Sequence, residues 1–433
     1  MIENVILGGG IAGVAAAYRA RMADKKAIVL EAQSRPGGLL DSFTVNGFVF
    51  DRAVHLSFAS EPEVRAIFDR TPYLTHRPDS PCFDAGLWIR HPAQNNMFPL
   101  STKEKVDLIA GLAAQPIAEV RNYRDWLIYQ YGEPIAKRWP LVYTEKYWTV
   151  PAEELGTDWI GVRMRRADLR EVLEGAFSAD TPSTYYIKEM RYPKRGGYRA
   201  FLEPMIDEVE IHCNHRVLEI DARNRTVGIE NGTKIQYQSL VSTLPLPLLV
   251  QMLADVPKDV RAAAATLFAT EIDLISIGFN RPRVSPALWF YIYDRDILAS
   301  RAYSPDWKSP NNVPSGCSAL QFEIYSSCRR PQSHTPEELK ANTVQALIKM
   351  KFASEQEILF VHHTHVPYAN VVFDLGMEQR RDFVRKWVES QGIYLAGRFG
   401  KWDYLWSNQA LMSGFQAAER AFDLLSQEGA STR

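Results

Sequence analysis

Apolar positions run unbroken through Val5-Ile6-Leu7, stop at Gly8-Gly9-Gly10, and resume in the alanine-rich stretch from Ile11 to Ala20. A second apolar run, Ala27-Ile28-Val29-Leu30, ends at Glu31. This pattern predicts a buried strand, a glycine turn, a helix and a second strand. Further along, Lys103 to Ala113 and Ile117 to Tyr131 carry apolar residues at three- and four-residue spacing, so both predict helices. Another helix is expected from Pro151-Ala152-Glu153, with proline in its first turn. His215 to Ile220, Trp289 to Tyr293 and Ser318 to Tyr325 alternate as strands do, and Pro305 to Gly316 has the proline and asparagine content of a loop. A last strand over Ile393 to Leu395 precedes a helix from Ser407 to Leu425. The chain reads as an α/β protein. Residues 1–95, 196–250 and 386–433 form one α/β layer, 96–195 a mainly helical insertion, and 251–385 a second domain with an antiparallel sheet.

The 433 residues balance 50 Lys plus Arg against 51 Asp plus Glu, a formal net charge of -1. That balance gives no electrostatic footprint for nucleic acid, while leaving room for a local phosphate pocket. No apolar run approaches the ~18 residues of a membrane span. The first strand begins at about Ile2, which leaves no place for a cleaved leader, so a cytoplasmic location is expected. Cys82, Cys213, Cys317 and Cys328 have no metal-ligand spacing and are expected to be free thiols. His362, His363 and His365 are expected on a strand, with His363 and His365 on one face. With no acidic partner near them in sequence, no metal is expected there.

The candidate chemistry lies first in Gly8-x-Gly10-x-x-Gly13. Gly8 permits a tight turn, Gly10 lets backbone approach a pyrophosphate, and Gly13 lets helix and strand pack closely. The helix N-terminus beyond, including Ile11 and Ala12, offers N–H groups to phosphate. Glu31, eighteen residues after Gly13, is placed to accept from a ribose hydroxyl, and Ala32 follows it. The motif signals an adenine dinucleotide without choosing between NAD and FAD.

A second glycine turn, Gly37-Gly38 before Leu39, and the segment Asp51-Arg52-Ala53-Val54-His55 add a further pattern. With them the sequence resembles the FAD-dependent amine oxidase and protoporphyrinogen oxidase superfamily, with features similar to UDP-galactopyranose mutases. The resemblance implies a Rossmann-like, glutathione-reductase-type FAD domain with a mixed-sheet substrate domain and a helical insertion. It implies that both segments line FAD and that His55 lies near the isoalloxazine or the substrate. Ala53 stands where the family often has glycine. Lys146-Tyr147-Trp148 with Trp159 resembles a mutase-like stretch, which implies that Arg163 or Arg166 contacts substrate. Tyr192-Pro193-Lys194-Arg195-Gly196-Gly197-Tyr198 is similar to the family's YPKGGY with Arg195 inserted. Val217 is implied to meet adenine through its backbone, and Thr243 to sit in the family's turn below the flavin. Arg301 occupies the place of a substrate-facing arginine. The ending Gly397-Arg398-x-Gly400-x-Trp402-x-Tyr404 and the helix after it, including Gln409, resemble the family's second FAD wall, with Arg398 beside the pyrophosphate. Trp406 stands where mutases have aspartate, which implies a more apolar pocket.

The resemblance implies an FAD-dependent oxidoreductase that transfers hydride from a small molecule to the flavin. Two alternatives stay open, a mutase-like isomerase acting on a nucleotide sugar with reduced flavin and a binding protein that keeps the fold without FAD. His55, Arg301 and Tyr404 are the candidate catalytic side chains. No nucleic-acid partner is expected, and the sequence leaves substrate, electron acceptor and oligomeric state open.

Overall fold

The computed structural model describes residues 2–77, 79–114, 119–161, 164, 168–182 and 189–424. Its first sheet runs in the order Val217–Asp221, Thr226–Ile229, Lys234–Ser242, Ile2–Leu7, Ile28–Leu30 and Glu210–His212, with Ile393–Leu395 also pairing Lys234–Ser242. The pairs made by Ile2–Leu7 are parallel, as the apolar strand-turn-helix pattern requires of a crossover unit. The helices Ile11–Met22 and Ser407–Ala421 pack on this sheet through small residues, among them Ala12, Ala16, Ala17, Ala417 and Ala418. Two glycines set how close the layers come. A Cβ on Gly13 would lie 1.9 Å from the Gly8 carbonyl oxygen, and one on Gly414 would lie 2.2 Å from that of Ala12.

The second sheet has the order Ile358–Val371, Ala269–Phe279, Ser318–Ser326, Arg301–Tyr303, Trp289–Ile292, Pro81–Asp84 and Leu87–Arg90. Its last two strands come from the amino-terminal hundred residues, so the layers are tied by chain crossing as well as by contact. All nine residues of Ser318–Ser326 are buried, including Gln321 and Glu323, so polar groups inside this strand must find partners within the protein.

Several elements depart from the pattern-based expectations. The helix expected from Ile117 starts at Tyr123, because Asn122 caps it by accepting the Asp125 N–H at 2.9 Å. Ile117 itself lies outside the described residues. The helix expected at Pro151 is a single 3₁₀ turn, Ala152–Glu154, ending in extended backbone at Leu155. The Pro305–Gly316 loop contains a short helix, Pro305–Lys308, and a 3₁₀ turn, Pro310–Asn312, each opened by proline at its first position. The last helix ends at Ala421, and residue 425 lies outside the described residues. His363 and His365 share a face, but they do have an acidic partner. Asp273 on the neighbouring strand bonds His363 Nε2 at 2.7 Å and His365 Nδ1 at 3.1 Å. All four cysteines are free. Among the described residues no helix is long and apolar enough to cross a membrane.

Candidate active site

A cavity of about 460 Å³ opens between the two sheets. Its floor is largely backbone. Gly8, Gly10, Gly37, Gly38 and Gly397 all line it, together with Ile11, Ala12, Leu39 and Thr243. These segments are locked to one another. Gly37 N–H donates to the Gly9 carbonyl at 2.8 Å, Thr243 Oγ1 donates to the Leu7 carbonyl at 2.8 Å, and Gly397 N–H donates to Ser413 Oγ at 2.8 Å. Gly10 differs from its neighbours, since a Cβ built there meets no atom within 4 Å. Its missing side chain therefore keeps cavity space clear. Gly10 also precedes the helix Ile11–Met22 without a side-chain cap, which leaves that helix N-terminus to serve an anion. The helix Ser407–Ala421 brings Ser407 and Ala410 to the same cavity.

Of the other expected site residues, His55, Arg301, Arg398, Tyr404 and Trp406 line the cavity. Gly13, Glu31, Ala32, Val217 and Gln409 are not among the lining residues. Gly13 is taken up by helix–strand packing. The Glu31 carboxylate accepts Gly9 N–H at 2.6 Å and Gln33 N–H at 2.7 Å, so it braces the glycine turn from behind. Gln409 Oε1 accepts the Trp406 N–H at 2.9 Å and so caps the last helix. Arg163 and Arg166 lie outside the described residues.

Arg398 departs from the expected fork for pyrophosphate. Its Nε and Nη2 both donate to the Leu405 carbonyl, at 2.9 and 2.7 Å, and Nη1 donates to Asn370 Oδ1 at 3.1 Å. It folds the 398–405 turn and gives the cavity its charge rather than its donors. Tyr404 lies under that guanidinium, 5.5 Å from ring centroid to Cζ, and packs on Trp148, Trp159 and Phe373.

Arg301 opens the strand Arg301–Tyr303 and pairs in register with Glu323. Its Nε donates to Glu323 Oε2, and its Nη2 donates to Tyr325 Oη at 3.1 Å. Among the described residues its Nη1 has no hydrogen-bond partner. Glu323 is fully buried, accepts Tyr325 O–H at 2.7 Å, and through Oε1 accepts Val54 N–H at 2.7 Å. That last bond holds the segment carrying His55. Ala53 keeps the left-handed backbone, φ 78°, that a glycine would adopt freely, and its carbonyl is 3.2 Å from His55 Nδ1. A carbonyl can only accept, so Nδ1 carries the hydrogen and Nε2 is an open acceptor. Burial pushes His55 down to about 3; Asp51 opposes that shift, while Lys308 and Arg398 reinforce it. The ring is therefore uncharged at neutral pH.

Sequence reasoning missed Phe58, Tyr147, Met190, Trp289, Tyr291 and Tyr325, which complete the walls. Phe58 meets Trp406 edge-to-face at 4.6 Å. The signal available for this wall was the strand alternation around Trp289 and Tyr325, which reads equally well as core.

The FAD expected from the sequence fits this site: a glycine floor with clear space over Gly10, two helix N-termini and a cationic turn at Arg398 suit a pyrophosphate and a reducible ring. Comparison with known proteins agrees. The family described as flavin containing amine oxidoreductase matches residues 11–421. Protoporphyrinogen oxidase 2, chloroplastic/mitochondrial, of Arabidopsis thaliana is 30% identical over 100 residues, 23% of this chain and only 16% of that protein's length. The 15-cis-phytoene desaturase of Glycine max is 23% identical over 486 residues, 96% of this chain and 79% of that protein. A crystal structure of reduced UDP-galactopyranose mutase superposes with a TM-score of 0.92 at 23% identity, covering 100% of this chain and 98% of that one, which shows a shared fold. The chain belongs to the flavin containing amine oxidoreductase family and is an FAD-dependent oxidoreductase.

Proposed function

We propose that the protein dehydrogenates a small, uncharged, ring-bearing molecule, with FAD seated on the glycine floor of the cavity. The observation that carries this reading is the charge balance at the wall opposite that floor. Arg301 is compensated by Glu323, His55 is uncharged, and Phe58, Met190, Trp289, Tyr291 and Trp406 supply apolar and aromatic surface. At that wall a charged substrate would lose its hydration facing an arginine already paired with Glu323, while Arg398, which bonds only neutral groups, stands at the cofactor turn. When bound, FAD supplies the hydride acceptor.

The chain's own groups do the rest. Gly8, Gly10, Gly37, Gly38 and Gly397 give the cofactor its seat, and Glu31 braces the glycine turn from behind. His55 Nε2 accepts a hydrogen bond from a substrate O–H or N–H and takes its proton as the C–H bond is lost. A ring of such low basicity accepts that proton once positive charge develops on the substrate. Arg301 Nη1 donates to a substrate oxygen, its direction fixed by Glu323 and Tyr325. The aromatic wall stacks on the substrate ring and excludes water.

A second reading, a flavin-dependent mutase acting on a nucleotide sugar, is favoured by the full-length likeness to the mutase structure. Anaerobic mixing separates the two. Oxidised holoenzyme bleached by an uncharged cyclic alcohol, and recoloured by oxygen or a quinone, is the expected result. Interconversion of sugar isomers by dithionite-reduced enzyme, with no acceptor consumed, would contradict it and support the mutase.

A further inference from the structure

We propose that Tyr147 is a specificity-determining residue: its hydroxyl stands with Arg301 as a second hydrogen-bond donor, and the two select an alcohol over an amine. The inference rests on the dehydrogenation reading given above and narrows its substrate class.

Tyr147 is the last residue but one of the helix Pro140–Trp148 and lines the cavity at 8% exposure. The Arg301 guanidinium lies over its ring, 5.3 Å from centroid to Cζ, and Tyr143 stacks on that ring at 5.4 Å. The ring of Tyr325, whose hydroxyl meets Arg301 Nη2, is 4.8 Å away. The Tyr147 ring is thus fixed by its neighbours. Its Oη makes no hydrogen bond among the described residues, yet it is not closed off inside the protein. A phenol nine-tenths buried with nothing to bond in the protein takes its partner from the cavity.

Contacts tie this hydroxyl to the two other open polar atoms of the wall. Glu323 joins the first two, since Oε2 accepts Arg301 Nε and Oε1 accepts the Val54 N–H beside His55. Tyr147 joins them through its contact with Arg301. Arg301 Nη1 can only donate, and His55 Nε2 accepts because Nδ1 is turned to the Ala53 carbonyl. The cation over the Tyr147 ring is drawn to its electrons. It polarises the phenol, which makes the O–H a better donor and the oxygen a poorer acceptor.

The wall therefore donates twice and accepts once. A hydroxyl group, with one hydrogen and two lone pairs, matches that set. An uncharged amine has two hydrogens and one lone pair, so one donor of the wall goes without an acceptor, and an ammonium ion has no lone pair at all. Buried polar groups left unpaired are the strongest source of discrimination a site has. As the alcohol is oxidised, its O–H proton goes to His55 Nε2, its C–H hydrogen leaves as hydride to the oxidised flavin, and a C=O bond forms. The ketone oxygen keeps both lone pairs, so Tyr147 and Arg301 hold the product as they held the substrate.

The test compares wild-type holoenzyme with Tyr147→Phe, which keeps the ring under Arg301 and removes only the hydroxyl. Mixed anaerobically, cyclohexanol should reduce the wild-type flavin faster than cyclohexylamine at equal concentration of the uncharged form. Tyr147→Phe should slow cyclohexanol by about three- to tenfold, the worth of one neutral hydrogen bond, and leave the amine rate as it is. It should weaken the binding of cyclohexanone, read as a shift in flavin absorbance, by the same factor, with FAD content and melting temperature as in wild type. An amine that reduces the wild-type flavin as fast as the alcohol overturns the proposal, as does unchanged ketone binding in Tyr147→Phe. Weakened ketone binding in an enzyme that neither compound reduces would uphold Tyr147 as a donor and sink the dehydrogenation reading instead, so the two failures are distinct.

Discussion

Arg301 is fixed on one side and open on the other. Two of its three guanidinium nitrogens are engaged by Glu323 and Tyr325, and the proposed function assigns Nη1 to the substrate. Lysine at this position keeps the charge beside Glu323 but has no planar fork to reach the cavity as well. Arg301→Lys should therefore lower kcat/KM by about ten- to a hundredfold, the worth of one hydrogen bond to a charged group, while flavin content and melting temperature stay close to wild type. Wild-type turnover would show that Nη1 does not touch substrate. The residues legible in the sequence each use the missing side chain of glycine: Gly8, Gly37, Gly38 and Gly397 have positive φ, Gly13 packs against the Gly8 carbonyl, and Gly10 leaves cavity space clear. Glu323 carried no such mark, because its role depends on which strands become neighbours. It takes the polar place in the alternation Leu320-Gln321-Phe322-Glu323-Ile324, which reads as solvent-facing, whereas the folded strand is buried on both faces. An acid in such a strand needs a buried cation, and Arg301 is the one that the sheet register supplies.

At the scale of elements, the cavity depends on how closely the helices Ile11–Met22 and Ser407–Ala421 cross. A Cβ on Gly414 would stand 2.2 Å from the Ala12 carbonyl oxygen and 3.0 Å from Ala15 Cβ, so a larger residue must push the helices apart. Gly414→Val should cost about 1–3 kcal/mol in chemical denaturation and weaken FAD binding too, since the N-terminal ends of both helices face the cavity. Unchanged stability and affinity would mean that the crossing is looser than it stands here. These helices and the strands beside them were legible because each shows its period within a few residues. The helical insertion was read less well. Asn122 restarts the chain as a helix at Tyr123, and the Pro151 segment manages one 3₁₀ turn, outcomes set by caps and packing rather than by apolar spacing. The pairing of Pro81–Asp84 with Trp289–Ile292 left no local signal at all.

For the whole molecule, two uncharged, half-buried histidines give stability a defined pH dependence. Burial lowers His55 to about 3 and His91 to about 4, against 6.5 when unfolded. Below pH 6.5 the unfolded chain binds protons that the folded one refuses, so stability falls as pH falls, by up to about 1.4 kcal/mol per pH unit for each ring. Denaturation midpoints measured from pH 7 to pH 4.5 should decline steadily; a flat profile would mean that these rings protonate in the folded state.

On the reading proposed above, FAD sits on a floor that includes Gly10. The measurement that tests this most directly is the visible flavin absorbance of purified Gly10→Val beside that of wild type. No protein atom lies within 4 Å of the added Cβ, so the variant should fold and should melt like wild-type apoprotein. It should also be colourless and remain so after incubation with FAD, because the branched side chain fills cofactor space. A yellow Gly10→Val protein with a full complement of FAD would contradict the account.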